Sequence, residues 1–225
     1  MAEKACDTIN AGSKIPLFVG GTGLYIDSFF KGLSSIPEID GSVRKKLSEE
    51  IKNKGSLQLY DELKKVDPDF AFKVHPNDSQ RIMRGLQVYR GTGKTISSFY
   101  ADRRGAESDN TLYIGIAPEK QDLHSRIDLR VDMMLSMGFV DEVVKLRSLG
   151  YSPQLPSMRT IGYAEINDFL DGLYTYRDTV ENIKVSTKKY AKRQMTWFQR
   201  NKKILWFKPE DVKKITQRIE NWLNY

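Results

Sequence analysis

The sequence holds one cysteine, Cys6, and only two histidines, His75 and His124. A single thiol excludes an internal disulfide, and so few soft ligands exclude a zinc site built from cysteine and histidine. Any metal ion must therefore be held by oxygen, through a substrate. Long apolar runs are missing as well. No stretch approaches the roughly eighteen residues that would cross a bilayer, and the opening residues lack the basic start and apolar centre of a signal peptide. Internal repeats and low-complexity segments are absent. These absences lead us to expect a cytoplasmic globular protein with no membrane partner, and we expect it to be a monomer. Its 225 residues, 40% of them hydrophobic, can supply one large core or two small ones.

The charge is unevenly placed. Lys188, Lys189, Lys192, Arg193, Arg200, Lys202 and Lys203 lie in an acid-free stretch from Thr187 to Lys203, and these seven account for the whole net charge of +7. The remainder is balanced at 29 basic against 29 acidic residues. Basicity concentrated in this way points to a polyanionic partner. At about 100° per residue, Lys188, Lys189, Lys192, Arg193, Arg200 and Lys203 share one arc, while Tyr190, Ala191, Met195, Trp197 and Phe198 share another. The pattern predicts a helix that docks its apolar face and turns its basic face to solvent, where it would track phosphates. A merely solvated basic face is the alternative.

Periodicity predicts a helix over residues 2 to 11 closed by Gly12, a buried strand over Ile15 to Val19, and a turn at Gly20-Gly21-Thr22 into another helix. Charged helical stretches follow at Ser42 to Lys54, Ser56 to Lys65 and Ser79 to Tyr89. Strand character returns at Leu112 to Ala117 and at Ile204 to Phe207. Further helices are expected over Gln121 to Met137, Val140 to Leu149, Tyr163 to Leu170, Asp178 to Arg200 and Glu210 to Leu223. The strand, turn and helix at Ile15 to Tyr25 look like part of a βα unit, yet a parallel sheet usually has more strands than these. The expectation is that further strands precede Met1.

Four segments carry candidate chemistry. Gly20, Gly21 and Thr22 could bring backbone amides and a hydroxyl to an anion, or could form a plain turn with Thr22 as helix cap. Gly91-Thr92-Gly93-Lys94-Thr95 ends like a phosphate-binding loop, but Val88 stands where the first glycine should be and a helix precedes it. It reads as a helix C-terminal turn. In His75-Pro76-Asn77-Asp78-Ser79-Gln80-Arg81-Ile82-Met83-Arg84, Asn77 or Asp78 can cap a helix whose first turns place Gln80 and Arg84 on one face, open to phosphates or to the edge of a base. Arg126 and Arg130 lie four apart beside an apolar stripe of Leu123, Ile127, Val131 and Met134. They could aim a fork at a diphosphate, or form an ordinary surface pair with Asp122 four residues before Arg126.

Taken in order, Ile15 to Tyr25, Asp67-Pro68, His75 to Arg84, Arg126 to Met133, Arg159-Thr160-Ile161-Gly162-Tyr163 and Tyr190 to Trp197 resemble the bacterial tRNA dimethylallyltransferase family across nearly the whole chain. The most specific segments are Val19-Gly20-Gly21-Thr22-Gly23-Leu24-Tyr25 and Tyr190-Ala191-Lys192-Arg193-Gln194-Met195-Thr196-Trp197-Phe198. The resemblance implies an α/β fold: a partial P-loop NTPase-like core with a parallel sheet (residues 1–32 and 109–225), an all-helical insertion (33–108) that touches tRNA, and C-terminal helices. It implies transfer of a dimethylallyl group from dimethylallyl diphosphate to the exocyclic amine of the adenosine beside the anticodon, with Mg²⁺ carried by the diphosphate.

By the same resemblance, Thr22 and Arg130 would act at the reactive centre, with Gly20, Gly21 and Arg126 lining it. The anticodon stem-loop of tRNA would meet Arg44, Gln80, Arg81, Ile82, Met83 and Arg84, then Arg159, Thr160, Ile161, Gly162, Tyr163 and Ala164, and finally Lys188, Lys192, Arg193 and Gln194. Family members carry a G-x-T-x-x-G-K-[ST] loop followed by an aspartate–serine segment that supplies a general base. Residues 1–225 contain no such loop with its following segment, so we expect tRNA affinity and little or no transfer from this chain alone. Two alternatives stand beside this: a noncatalytic tRNA-binding fragment, and an adenylate isopentenyltransferase acting on free nucleotide.

Overall fold

The computed structural model describes residues 1–32, 34–101 and 110–224. The described residues of Met1–Gly20 and Leu24–Asp109 form one compact unit, and Gly21–Gly23 with Asn110–Tyr225 form a second. The domain boundary expected at 108 and 109 falls outside the described residues. In this grouping, residues 1–20 and 24–32 fall with the helical unit. No described helix is long and apolar enough to cross a membrane.

The first unit is helical: α1 (Ala2–Ala11), α2 (Gly23–Lys31, all but its first residue), α3 (Gly41–Val66), α4 (Pro68–Ala71), α5 (Ser79–Thr92) and α6 (Ile96–Ala101). Its helix ends are chemically marked. Asp40 accepts the Ser42 amide at 2.7 Å to start α3, and Asp78 accepts the Arg81 amide at 3.1 Å to start α5. Gly93, left-handed at φ 71°, closes α5 by donating its amide to the Tyr89 carbonyl, so Gly91 to Thr95 is a helix end and not a phosphate loop. The two charged stretches expected separately are joined in α3 across a bend at Gly55 (φ 79°, ψ 166°), a backbone state that favours glycine. The core unites Leu47, Leu59, Leu63, Ile82, Leu86, Val88 and Ile96. Each such side chain stabilises the fold by about 1.5–3 kcal/mol through burial. Helices α3 and α5 approach closely at Gly85, where a Cβ would meet Leu63 Cδ1 at 2.8 Å.

The second unit places a small parallel sheet beside helices. β1 (Ile114–Ile116) pairs with β2 (Leu205–Phe207), Gly115 opposite Trp206. Between them come α7 (Lys120–Ser136), α8 (Phe139–Ser148), a 3₁₀ turn (Ser157–Arg159), α9 (Tyr163–Leu170) and α10 (Tyr176–Phe198), and α11 (Val212–Leu223) follows β2. The apolar stripe read from the sequence is real. Ile127 and Val131 are buried with Phe139, Val143, Met158, Ile166 and Ile183, and Leu123 and Met134 pack against them.

One expected element is corrected. Ile15 to Val19 forms no strand, and Leu17 and Val19 are 84% and 87% exposed. A strand exists only by pairing, and among the described residues the sheet consists of β1 and β2.

Candidate functional site

The two segments singled out as most specific meet in the second unit. Gln194 on α10 donates from Nε2 to the Gly21 carbonyl at 2.7 Å. A Cβ on Gly21 would stand 2.1 Å from Gln194 Nε2, and one on Gly23 would stand 2.2 Å from Trp197 Cδ1. The glycines are needed because α10 side chains lie against the turn backbone. Thr22, between them, is exposed.

Helix α10 is oriented differently from the expected arrangement. Lys188 does not face open solvent: its Nζ lies 2.6 and 2.8 Å from the two carboxylate oxygens of Asp128 on α7. One turn earlier, Lys184 Nζ lies 2.8 Å from Asp132. That hydrogen bond raises the pKa of Lys184 above its ordinary value, against a smaller opposing effect of burial. Conversely Tyr190, expected on the docked face, is exposed and carries the Arg193 guanidinium 5.7 Å from its ring centre. The helix ends at Phe198, so Arg200, Lys202 and Lys203 lie beyond it and helical angles do not apply to them. Of the basic residues from the acid-free stretch that lie on the helix, Lys189, Lys192 and Arg193 are exposed.

On α7, Arg126 and Arg130 are exposed beside Leu129, Met133 and Met137, which are 62%, 52% and 82% exposed. Together with Met134 they line an open hollow of about 270 Å³. The buried stripe of α7 faces α10, so these three apolar side chains form a second stripe, four residues apart, that no packing inside the unit explains. Two guanidinium groups next to an apolar ridge suit an amphiphilic anion.

The segment Arg159 to Ala164 is held by contacts that the sequence did not disclose. Buried Asn167 donates from Nδ2 to the Met158 and Tyr163 carbonyls at 3.1 and 2.9 Å. Glu165 accepts the Gly162 amide at 2.7 Å, and Gly162, at φ 92°, is buried with no room for a Cβ beside Phe139. Arg159 pairs with Asp168 at 2.9 Å, and the Tyr163 hydroxyl donates to Glu142 at 2.5 Å. That hydrogen bond, and secondarily burial, raises the Tyr163 pKa above its ordinary value. Thr160 and Ile161 are exposed, and Ala164 is half-buried in the first turn of α9.

In the helical unit, Arg44 is exposed on α3, and Gln80, Arg81 and Arg84 are exposed at the start of α5. Ile82 is fully buried and Met83 packs on the same core. Ile82 therefore fixes the helix and has no surface to offer a ligand. Among the described residues no group of three or more histidine, cysteine, aspartate or glutamate side chains could hold a metal ion.

The described residues thus combine a mixed helical fold and a small parallel sheet with an arginine-flanked apolar hollow on α7 and a basic helix lying over a glycine turn. The sequence model of the IPP transferase family matches residues 1–201. The chain belongs to this family. It is 41% identical over 206 residues to the tRNA dimethylallyltransferase of Geobacter sulfurreducens, covering 91% of this chain and 66% of that protein. It is 38% identical over 227 residues to the tRNA dimethylallyltransferase of Acetivibrio thermocellus, covering 100% and 72%. The chain thus spans about two thirds of the length of these relatives. The crystal structure of the tRNA isopentenylpyrophosphate transferase of Bacillus halodurans is similar over 99% of this chain and 72% of that one, with TM-score 0.63 and 31% identity. A eukaryotic dimethylallyltransferase acting on tRNA is similar over 97% of this chain and 58% of its own, with TM-score 0.69 and 27% identity.

Proposed function

We propose that residues 1–225 form the tRNA-gripping part and one wall of the prenyl channel of a tRNA dimethylallyltransferase. The observation that carries this is the hollow on α7, where Arg126 and Arg130 stand beside Leu129, Met133 and Met137. Such a surface suits both ends of dimethylallyl diphosphate. In the reaction, the exocyclic amine of an adenosine attacks the allylic carbon, forming a C–N bond as the C–O bond to diphosphate breaks and its electron pair leaves with the oxygen. The guanidinium groups of Arg130 and Arg126, charged throughout, offset the growing charge on that oxygen. The amine proton must pass to a base, a role we assign to none of residues 1–225.

On this reading the second unit belongs to a P-loop-like core, the helical residues after about 33 form an insertion, and Gly20, Gly21 and Thr22 line the reaction channel. The anticodon arm meets Arg44, Gln80, Arg81 and Arg84, the Arg159 to Ala164 segment, and the exposed Lys189, Lys192 and Arg193. Met83, Gln194 and Lys188 support these surfaces from behind. Mg²⁺ would arrive with the diphosphate, and among the described residues no cluster of three or more histidine, cysteine, aspartate or glutamate side chains would hold it.

The test is a pair of measurements on residues 1–225. Unmodified tRNA should bind with an affinity that falls steeply with salt, while labelled dimethylallyl diphosphate should give little or no transfer to tRNA. Efficient transfer to AMP in place of tRNA would move the assignment to free-nucleotide enzymes, and salt-insensitive tRNA affinity would contradict the role given to α10.

A further inference from the structure

A second hollow, of about 440 Å³, opens on the helical unit and is lined by Asp69, Phe72, Lys73, Ser97, Tyr100 and Ala101. Its most unusual member is Phe72, 91% exposed. The exposure is imposed by the neighbours. Ala71 and Val74 are buried at 1% and 4%, the Phe72 amide donates to the Pro68 carbonyl at 2.9 Å, and the Tyr60 hydroxyl donates to the Ala71 carbonyl at 3.2 Å. With the turn fixed on both sides, the ring at position 72 can only point outward.

The two walls of the hollow are joined by one buried carboxylate. Asp67, 2% exposed, accepts the Phe70 amide at 3.1 Å through Oδ1 and the Ser97 amide at 3.0 Å through Oδ2. It ties α4 to α6, and the Phe70 ring, 6.1 Å from that of Tyr100, adds an edge contact across the same gap. The hollow is therefore held open by buried contacts beneath it and does not depend on loop chance.

We infer that this hollow takes one unpaired nucleobase of the RNA partner, stacked on Phe72 beside Tyr100, with Lys73 on the adjoining phosphate and the Asp69 carboxylate accepting from an exocyclic amine. Single-stranded bases are held in this way, by an aromatic face for the π-system and a cation for the backbone. A carboxylate at the rim favours bases that present an amino group. The inference rests on the tRNA-binding reading and adds to it a contact on the helical unit that charge alone would not reveal.

The experiment is tRNA affinity of the whole chain across a range of salt for wild type, Phe72→Ala, Phe72→Trp and Lys192→Ala. Stacking does not release counterions, so F72A should lower affinity by about tenfold at every salt concentration with an unchanged slope, and F72W should restore it. K192A should instead flatten the slope. Because Phe72 is exposed, F72A should leave the unfolding midpoint unchanged. If the F72A and wild-type curves superimpose while both bind tRNA, this inference falls and the hollow is left to a protein partner. If wild type shows no salt-dependent tRNA affinity, the underlying reading falls, and this inference with it.

Discussion

Gln194 donates a 2.7 Å hydrogen bond to the carbonyl of Gly21, a residue 173 positions earlier. The bond explains why a glycine turn and a basic helix are both distinctive in this sequence: each is shaped to the other. Gly21→Ala would drive a methyl group into the Gln194 amide, which can move only by giving up its partner. We expect G21A to destabilise the second unit by about 1–3 kcal/mol, as overpacking does. In a double-mutant cycle with Gln194→Ala the effects should be non-additive, measured by urea unfolding.

The cations of α10 should separate into two kinds. Lys192→Ala and Arg193→Ala should each reduce the salt slope of tRNA binding by about one unit while leaving stability nearly unchanged. Lys188→Ala should do the reverse, because Lys188 is already bound to Asp128. A double-mutant cycle between Lys188 and Asp128 should give about 1 kcal/mol of coupling. Equal slope losses for Lys188 and Lys192 would show that Lys188 leaves its partner to bind RNA.

Arg130→Ala should weaken binding of a non-reactive dimethylallyl diphosphate analogue by about tenfold, and Arg130→Lys should recover only part of it, because an ammonium cannot present a planar fork. Met133→Gln should weaken the same analogue but leave inorganic pyrophosphate binding unchanged, because it removes apolar surface without adding charge, and calorimetry distinguishes the two.

The pH dependence of the helical unit should carry a contribution from Glu50. Its hydrogen bonds with Arg90, then their charge attraction, hold its pKa below the ordinary 4.5, against the opposing effect of burial. A carboxylate whose folded pKa is depressed adds stability that is fully present above about pH 4.5 and is lost as pH falls through the lower folded value. Glu50→Gln should flatten the stability profile in that acid window and lower stability by about 1 kcal/mol at neutral pH, read from unfolding midpoints at several pH values.

Asp67→Ala should cost about 2–4 kcal/mol, because two buried amides lose their acceptor at once. Asp67→Asn should recover less than half, since an amide has only one oxygen to share between Phe70 and Ser97. Thermal unfolding of the two variants checks this.

Much of the helical framework was legible because it is written locally. Leu123, Ile127, Val131 and Met134 recur at helical spacing, and Asp78 and Gly93 mark the ends of α5 with side-chain and backbone chemistry of their own. Ile15 to Val19 misled because a strand is a relation between two segments, and composition describes only one of them. Lys188 and Tyr190 misled for a related reason: a helical wheel separates two arcs but does not say that Asp128 and Asp132 wait opposite one of them. Asp67 and Asn167, which fix the hollow on the helical unit and the Arg159 to Ala164 segment, look like ordinary polar residues. Their importance comes from amides and carbonyls brought to them by the fold.

The bend at Gly55 has a latch as well as a hinge. Arg90 on α5 reaches Glu50 on one side of the glycine and Glu62 on the other, at 2.7 Å each. The dependence between the two runs one way. Cutting the latch, by removing Arg90, leaves a glycine that still permits the bent state. Alanine at position 55 is strained at a φ of 79°, which weighs against the bend that lets one arginine serve both Glu50 and Glu62. Tolerance to substitution should follow that order, with Arg90 the more permissive of the two positions.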